Sequence, residues 1–585
     1  MTVSFCPIPV TVLLLAIATV QPSLGQAYEL RTHGEMTRQA FRSSRGISAY
    51  FQAVGLTDED TFDLMARTPP DLLGLFENTG TALDWVIEGA IREDDFARDP
   101  FASLGGCPQP SNPPSQIHRV LNHFLDVQRG GTGLTRLLFE GIPADDWALG
   151  RQGRGDGSKQ NQFSLPDARE NQYQGLTASS PVTRDKNTAL TFRALGQVLH
   201  LIEDMAQPQH TRNDAHADCL LVPDAIVGGH SWYEDYTEKR TLRQAFPRTT
   251  DVPPPLVLEG YEPVPLQRYE DFFRAADRRG LADFSSRSFL TAGTNLGSSC
   301  GGLVEPPCSV DAYQPVNRSF TTRTLRGSVS GNVTLYTRAV IDPFTAKPAV
   351  DGSTGQPLLQ VPLSSKSIWD QALLRAGRQP QFTLNRFNYD AMADILLPRA
   401  VGYAAGFLDT FFRGSVGGAF EQQNLTISGS TEVMDGTFRV LYDTDDGTRR
   451  ELASWSLRIE PDSSSPPLPT PTLPADAAPG MPCWLIFRGQ LGLEPDAVAG
   501  SRIACPNTTP EPSPPSGGPW VVYYCATFIS SQNYLYATTD PPLDGLAPDN
   551  LFVYFQVSTN TSFNCGIKAI HVATPPPNAR TEHPL

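Results

Sequence analysis

Seven of the nine histidines stand in the first 230 residues, and two pairs of a histidine with a carboxylate four positions later lie in segments with helical spacing. These pairs are His200 with Asp204 and His230 with Glu234. Residues four apart on a helix lie on one face, so each pair can contact a common ion. A further histidine, His210, follows the first pair after a proline that should end or bend the helix. Imidazole and carboxylate groups suit zinc with an open coordination position, so this spacing predicts a site for several metal ions.

The alternative is that these pairs do not bind a metal ion. A single His and Asp pair on a helix is more often a hydrogen-bonded surface or core pair than a ligand set. The conjunction of two pairs with a third histidine favours the metal site. No Cys-x-x-Cys pair occurs, which argues against zinc held by thiolates. Metal ions in an imidazole and carboxylate site can polarise a phosphoryl oxygen and make hydroxide from water near neutral pH.

Four segments of the chain resemble the zinc-dependent phospholipase C and S1/P1 nuclease superfamily. They are 199–210 (LHLIEDMAQPQH), 230–234 (HSWYE), 119–126 (RVLNHFLD) and 89–95 (GAIREDD). The matching motifs cover about residues 28–235. The resemblance implies an all-helical phosphoesterase with three clustered zinc ions, and it implies a site residue by residue.

The resemblance also implies that the amine and carbonyl of the first mature residue bind one zinc. That residue is typically Trp in the family, whereas cleavage after Ala27 would leave Tyr28 first in this chain. The implied ligands are Asp94, His123, His200 and Asp204 for one ion, Tyr28, His33 and the bridging Asp204 for a second, and His210, His230 and Glu234 for the third.

The same resemblance makes Asp94 the candidate catalytic residue, which would help water attack phosphorus. Asp95 is its rival, because the family often has Asp-x-Asp where this sequence has Glu-Asp-Asp. His216 receives no ligand role and is expected at most to support the ligands from outside. His118, Asp126 and Asp214 receive no role.

The N-terminal segment 1–27 is interpreted as a secretory signal peptide. Its apolar run, residues 10–20, is too short to span a bilayer comfortably, and small residues follow it at the expected cleavage site. The alternative is an uncleaved N-terminal anchor. Removal of the segment leaves eight cysteines, an even number that suggests disulfides in an extracellular or periplasmic protein. The candidate local pairs are Cys300–Cys308, Cys483–Cys505 and Cys525–Cys565.

Hydrophobic periodicity predicts a mainly α protein followed by β-rich parts. Helical spacing dominates the first 240 residues, and period-two runs such as 425–429 and 437–442 follow residue 416. The apolar segment 389–412 contains Arg399 and Asp409, which favour a buried helix over one that touches a membrane. The predicted parts are a helical zinc-dependent phosphoesterase domain at 28–415 with an irregular insertion at about 245–365, a β-rich region at 416–460, a Pro-rich linker at 461–480, and a disulfide-containing β-rich domain at 481–585.

Composition and net charge separate the functional classes less sharply than the motifs do. The 585 residues carry 46 Lys and Arg, 62 Asp and Glu, and a net charge of −16, which argues against a broad basic surface for polyanions. The expected function is therefore a secreted, phospholipase C-like, zinc-dependent hydrolase that acts as a monomer on a phospholipid or another phosphoester. A stable nucleic-acid complex is not expected, and the C-terminal β region could contact a membrane or cell surface. The alternatives are an S1/P1-type nuclease or 3′-nucleotidase, and a non-catalytic, metal-stabilised binding protein.

Overall fold

The computed structural model describes most of the chain between residues 30 and 506, and two strands beyond it. The described residues are 30–64, 79–94, 119–136, 139–151, 161–216, 231–246, 248–259, 261–291, 293, 305–307, 309–351, 355–377, 382–421, 424–478, 480–506, 522–529 and 532–539. The predicted signal peptide, the pair Cys300–Cys308 and Cys565 lie outside them.

The described part of the chain is a mixed α and β protein, with 38% of its residues in helices and 26% in strands. The prediction of a mainly α protein with an all-helical metal domain is therefore wrong. The main reason lies in the segment 245–365, which was expected to be irregular. Its alternating runs form strands, because they pair with each other and with residues 361–366 and 382–383 in one antiparallel sheet.

The helices of the described residues include a long buried set and several short ones. They are α1 (Leu30–Ser43), α2 (Arg45–Val54), α3 (Ala82–Arg92), α4 (Ala144–Ala148), α5 (Leu165–Thr177), α6 (Pro181–Asp204), α7 (Trp232–Leu242), α8 (Tyr269–Phe273), α9 (Leu281–Ser288), α10 (Asp370–Arg375) and α11 (Arg386–Phe411).

The strands form antiparallel sheets and hairpins. They are β1 (Thr61–Asp63), β2 (Thr79–Thr81), β3 (Thr135–Arg136), β4 (Phe139–Glu140), β5 (Gln314–Thr324), β6 (Gly327–Arg338), β7 (Val361–Lys366), β8 (Phe382–Thr383), β9 (Gly417–Glu421), β10 (Asn424–Ser428), β11 (Met434–Asp443), β12 (Arg449–Ile459), β13 (Leu468–Pro469), β14 (Cys483–Leu491), β15 (Glu494–Ile503), β16 (Val522–Ile529) and β17 (Gln532–Thr539).

Helix α6 lies at the centre of the helical part and carries two of the predicted ligands. It begins with a proline in its first turn, where the missing N–H costs no hydrogen bond. From Thr191 to its end every residue is buried, so the helix is surrounded by protein. Helix α3, which starts with a capping box between Thr81 and Asp84, packs across it. These two helices set the distance between His200 and Asp94.

The crossing of α3 and α6 depends on two glycines. A Cβ placed on Gly196 would stand 1.9 Å from the carbonyl oxygen of Val86, and one on Gly89 would stand 2.0 Å from that of Arg193. Both contacts are with backbone, which cannot move aside as a flexible side chain can. The helices therefore approach closely enough for Nδ1 of His200 to hydrogen-bond the carbonyl of Ala90 at 2.6 Å.

Substitution of Gly196 by Ala is expected to destabilise the protein by about 2–3 kcal/mol, because it overpacks this crossing. Thermal unfolding monitored by circular dichroism measures the effect. Gly34→Ala in α1 is the matched control: its Cβ would meet Ile87 at an ordinary 3.6 Å, so it should be neutral or slightly stabilising. Equal melting of both variants would contradict the close approach.

Helix α11 is long and apolar enough to cross a membrane by length and composition, and it is the one helix of the described residues with that property. Within the fold, 83% of its most apolar window is buried, and buried core helices of soluble proteins have the same composition. Arg399 in its interior is buried and pairs with Asp342 at 2.5 Å, which compensates the charge inside the protein. These features agree with the buried interpretation of this helix.

The strands after α11 form two sheets around a second apolar core. Their orders are β12-β11-β14-β15 and β13-β10-β9. The first sheet pairs strands from both sides of the Pro-rich stretch 461–480, and β13 within that stretch pairs with β10. The predicted disulfide between Cys483 and Cys505 is present and joins the start of β14 to the residues after β15.

A buried polar network joins these sheets to the helical part. Arg169 of α5 donates to Glu494 of β15 at 2.7 Å and to the hydroxyl of Tyr269 at 2.7 Å. Tyr269 and Arg413 donate to the second oxygen of Glu494 at 2.8 and 2.9 Å. Residues up to 506 thus form one compact unit, and residues 507–585 form another, in which β16 and β17 are an antiparallel pair.

Candidate metal centre

The predicted ligands come from separate elements that converge at the C-terminal end of α6. His200 and Asp204 lie in α6, His33 in α1, and Asp94 two residues after α3. All are buried. The remaining ones come from shorter elements: His123 directly after the 3₁₀ turn Arg119–Asn122, His210 in the 3₁₀ turn His210–Arg212, and Glu234 in the first turn of α7.

Asp204 lies at the centre of the cluster. Its Oδ2 is 2.9 Å from Nδ1 of His123, 3.2 Å from Nδ1 of His210 and 3.4 Å from Nε2 of His200. Its Oδ1 is 3.4 Å from Nε2 of His33. One carboxylate therefore faces four imidazoles, as a group that bridges two or more cations would.

Three sets of ligand atoms are each close enough to hold a metal ion, with all atoms of a set within 4.8 Å of one another. Two of the sets share His200, so their ions would be neighbours. The sets are His33, Asp94 and His200; His123, His200 and Asp204; and His210, His216 and Glu234.

The third set contains a residue without a predicted ligand role. Nε2 of His216 lies 2.8 Å from Oε1 of Glu234 and 3.3 Å from Nε2 of His210. Its Nδ1 is 3.1 Å from the carbonyl oxygen of Asp214, a contact that leaves Nε2 toward the other two ligands. His216 follows His210 by six residues across a loop, and no helical spacing marks such a pair.

The structure brings together every predicted ligand that lies within the described residues. Tyr28, His230 and Asp95, the rival of Asp94, lie outside them, as does His118. The predicted set of four, Asp94, His123, His200 and Asp204, appears as two overlapping sets rather than one. Asp126 instead caps the turn Val127–Arg129, and Asp214 accepts a hydrogen bond from the backbone of Gly293.

The donor atoms fit a group of divalent cations. Several of them lack a well-aligned hydrogen bond although they are buried, and an orphaned buried polar atom costs about 1–3 kcal/mol. A cation would supply the missing partner. The atoms are both oxygens of Asp204, both ring nitrogens of His123, Nε2 of His200 and Nδ1 of His210.

Two carboxylates that were not predicted as site residues lie beside the imidazoles, and one of them positions a ring by a hydrogen bond. Glu203 accepts from Nδ1 of His33 at 2.7 Å and from the hydroxyl of Thr37 at 2.8 Å, which directs Nε2 of His33 toward Asp204. Glu93 lies 3.8 Å from Nε2 of His123. Its charge is compensated by Arg119. Each carboxylate directly precedes a ligand in sequence, and that adjacency is the available sequence signal.

Burial and mutual charge shift the pKa values of the metal-free cluster strongly. Burial raises the pKa of Asp94 to about 8, although the charges of His200 and His33 oppose it. Burial lowers the pKa of His123 to about 3 against the attraction of Asp204. Burial also disfavours the charged forms of His33 and His216, but the carboxylates beside them prevail and raise their pKa values to about 10 and about 9.

Metal binding is therefore expected to release protons at pH 7. Asp94, His33 and His216 hold their protons there because pH 7 is below each of these pKa values, and a metal ligand must give up that proton. Titration calorimetry with zinc in buffers of different ionisation enthalpy should show about two to three protons released per protein.

This number should fall as the pH rises through about 8 to 10, while apparent metal affinity rises. His216→Ala removes one of the three groups and should reduce the release by about one proton at pH 7. A release of zero protons at pH 7 would show that these groups do not bind the metal.

No protein-family model matches the chain, and the search of curated proteins finds no similar one.

Proposed function

We propose that the protein is a secreted hydrolase that cleaves phosphoester bonds with three clustered divalent cations, zinc being the preferred ion. The observation that carries the proposal is the convergence of the three buried ligand sets around Asp204. His and carboxylate sets of three protein ligands suit zinc with a coordination position left for substrate. The Cys483–Cys505 disulfide supports export to an oxidising compartment.

The two oxygens of Asp94 have different surroundings, which suit it to proton transfer. Its Oδ1 lies 3.6 Å from His123 and 3.7 Å from His200, on the ligand side. Its Oδ2 has no hydrogen-bond partner among the described residues, so it is available to accept a proton from an attacking water. The cations, when bound, would supply charge for the phosphoryl group and lower the pKa of water.

Hydrogen bonds and ring stacking around the ligands hold the site in one geometry. Gln207 donates to Glu234 at 2.8 Å and so fixes that carboxylate beside His216 and His210. The stacked rings of His33 and His200, with centroids 3.7 Å apart, restrict each other's rotation. A preorganised site of this kind does not have to rearrange when negative charge develops on the phosphoryl oxygens.

A phospholipid is the proposed substrate. The net charge of −16 disfavours long polyanions, which are bound through many Lys and Arg contacts. A single phosphodiester group needs no such surface, because the bound cations can neutralise it locally.

The test uses one zinc-loaded preparation of the mature protein. It is offered short-chain phosphatidylcholine, single-stranded DNA and a 3′-nucleotide, with and without a chelator. Hydrolysis of the phospholipid that stops with the chelator and returns with zinc is expected. Turnover of the DNA or nucleotide alone would replace the phospholipase by a nuclease. Inactivity on all three with full metal content would favour a metal-stabilised binding protein and overturn the hydrolase.

A further inference from the structure

The segment 325–374, which contains two strands of the sheet β5-β6-β7-β8 and the turns and loops around them, exposes an unusual amount of apolar surface. Among the described residues, eight of the fourteen exposed large apolar side chains lie between residues 325 and 374. Ile368 and Trp369 are adjacent and are 88% and 65% exposed, and Leu325 at the tip of the β5–β6 hairpin is 77% exposed. Single exposed apolar residues are normal, but such a concentration marks a contact surface.

The same part of the chain is basic, although the protein as a whole is acidic. The hairpin from residue 314 to 338 contains four Arg and no Asp or Glu, in a chain with a net charge of −16. All four are exposed. They are Arg318, Arg323, Arg326 and Arg338. Asp251, the carboxylate next to the hairpin, is already paired with Arg386 at 3.3 Å. The hairpin therefore carries four positive charges and no carboxylate of its own.

The hairpin is held in place and is not a free arm. Its strands pair over their full length from Gln314↔Thr337 to Thr324↔Gly327. The backbone of Thr250 donates to Arg323 at 3.0 Å near the tip. The ring of Phe320 packs on Phe387 at the start of α11. The tip residues Leu325 and Arg326 are thus presented rigidly to solvent.

The apolar pair follows the strand that lies beside the hairpin. Strand β6 runs away from the hairpin tip, and β7 is antiparallel to β6 and pairs with its last residues, from Leu335 to Arg338. Ile368 and Trp369 follow β7 directly, and Leu374 in α10 is also exposed. We define the ribbon surface as Arg318, Arg323, Leu325 and Arg326 of the hairpin together with Ile368 and Trp369.

The ribbon surface is connected to the metal centre. Strand β8 leads through Leu384 into α11, where Tyr389 packs on Tyr233 with ring centroids 5.7 Å apart. Tyr233 directly precedes Glu234 of the third ligand set. Leu384, Tyr389 and Tyr233 line one cleft beside the end of α6. The chain thus leads from the sheet that carries the hairpin to a cleft beside the metal centre.

We propose that the ribbon surface docks the protein on an anionic lipid bilayer. Exposed Trp and aliphatic side chains beside arginines match the interface of a bilayer, where the rings and aliphatic groups enter the headgroup region and the guanidinium groups meet lipid phosphates. Nucleic acid fits less well, because Phe320 and Phe387 are covered by the guanidinium group of Arg386 and are not free to stack on bases. The inference rests on the proposed function, because that function makes a phospholipid of the bilayer the substrate.

The test measures partition of the full mature protein, with its metal, onto vesicles of phosphatidylcholine alone or mixed with phosphatidylserine. Binding to the mixed vesicles should be stronger and should weaken with salt. Arg323→Glu with Arg326→Glu should weaken it about tenfold or more. Ile368→Ser with Trp369→Ser should weaken it by about tenfold on both vesicle types.

Matched controls lie on another sheet. Leu493→Ser removes an equally exposed aliphatic residue, and Arg458→Glu reverses an exposed charge; neither should change vesicle binding. Equal vesicle binding by all four variants, or no binding by the wild type, would overturn the ribbon surface. So would a solution dimer that only the Ile368 and Trp369 variant breaks, or binding of single-stranded DNA in place of vesicles.

Soluble substrate separates this inference from the hydrolase. The ribbon variants should hydrolyse monomeric short-chain phosphatidylcholine at the wild-type rate, since none of the changed residues belongs to a ligand set. Vesicle binding without any hydrolysis would refute the proposed function and leave the docking surface standing. Hydrolysis of soluble substrate without vesicle binding would do the reverse.

Discussion

Replacement of Asp204 with Asn is expected to remove most of the bound metal and to abolish turnover. Asp204 faces His33, His123, His200 and His210 within 3.4 Å, so one substitution removes the negative charge that these imidazoles share. The variant loses both a ligand and the negative charge at the centre, so metal affinity should fall by more than about 100-fold. This is a larger loss than that caused by changing a residue that only supports the ligands. Metal content by plasma mass spectrometry and turnover of short-chain phosphatidylcholine measure the result.

The control for this variant is Asp126→Asn. Asp126 is equally buried, but its carboxylate accepts from the backbone of Arg129 in a turn and belongs to no ligand set among the described residues. It should lose stability through a weaker turn and keep its metal. If Asp204→Asn retains all its zinc, the cluster around this carboxylate is not a metal centre.

Asp94→Asn is expected to reduce turnover by about 1000-fold while the protein stays folded. Asn keeps the size of the side chain but cannot accept a proton, and it is a weaker ligand than a carboxylate. The burial that raises the pKa of Asp94 to about 8 disfavours a charge in the metal-free protein, so the neutral amide should leave folding intact or improve it.

Asp84→Asn in α3, the helix that precedes Asp94, is the matched control. Asp84 contributes to the capping box of α3 with Thr81 and belongs to no ligand set among the described residues, so its variant should lose a little stability and no activity. Circular dichroism and metal content test whether the Asp94 variant is folded and loaded. Full activity of a folded, loaded Asp94→Asn protein would exclude this carboxylate as the proton acceptor.

The proposed docking surface lies in a different part of the chain from the membrane contact that the sequence led us to expect. The C-terminal β region was the expected contact because its strands are appended to the helical part. Up to residue 506, however, these strands are joined to the helices through Arg169, Tyr269 and Glu494. The exposed apolar residues concentrate instead between residues 325 and 374, a stretch that begins inside the segment predicted to be irregular and ends just after it. A linear pattern of alternation does not show which strand face is covered, because that depends on the partner.

The sequence by itself determined which candidate ligands lie close together wherever a local geometry links them. His200 and Asp204 share a helical face at any tertiary fold, because the helix repeat places residues four apart side by side. The disulfide Cys483–Cys505 is likewise a local pair across two neighbouring strands.

The tertiary structure alone decided the contacts between distant parts of the chain. It placed His216 with Glu234, and it placed Glu203 and Glu93 behind His33 and His123. It also paired residues 314–338, part of the segment 245–365, with β7 in one sheet that contacts the start of α11. Such contacts follow from packing, as at Gly89 and Gly196, where the absence of two side chains brings α3 and α6 together and so sets Asp94 beside His200. The spacing of residues within one segment does not show which other segment will pack against it.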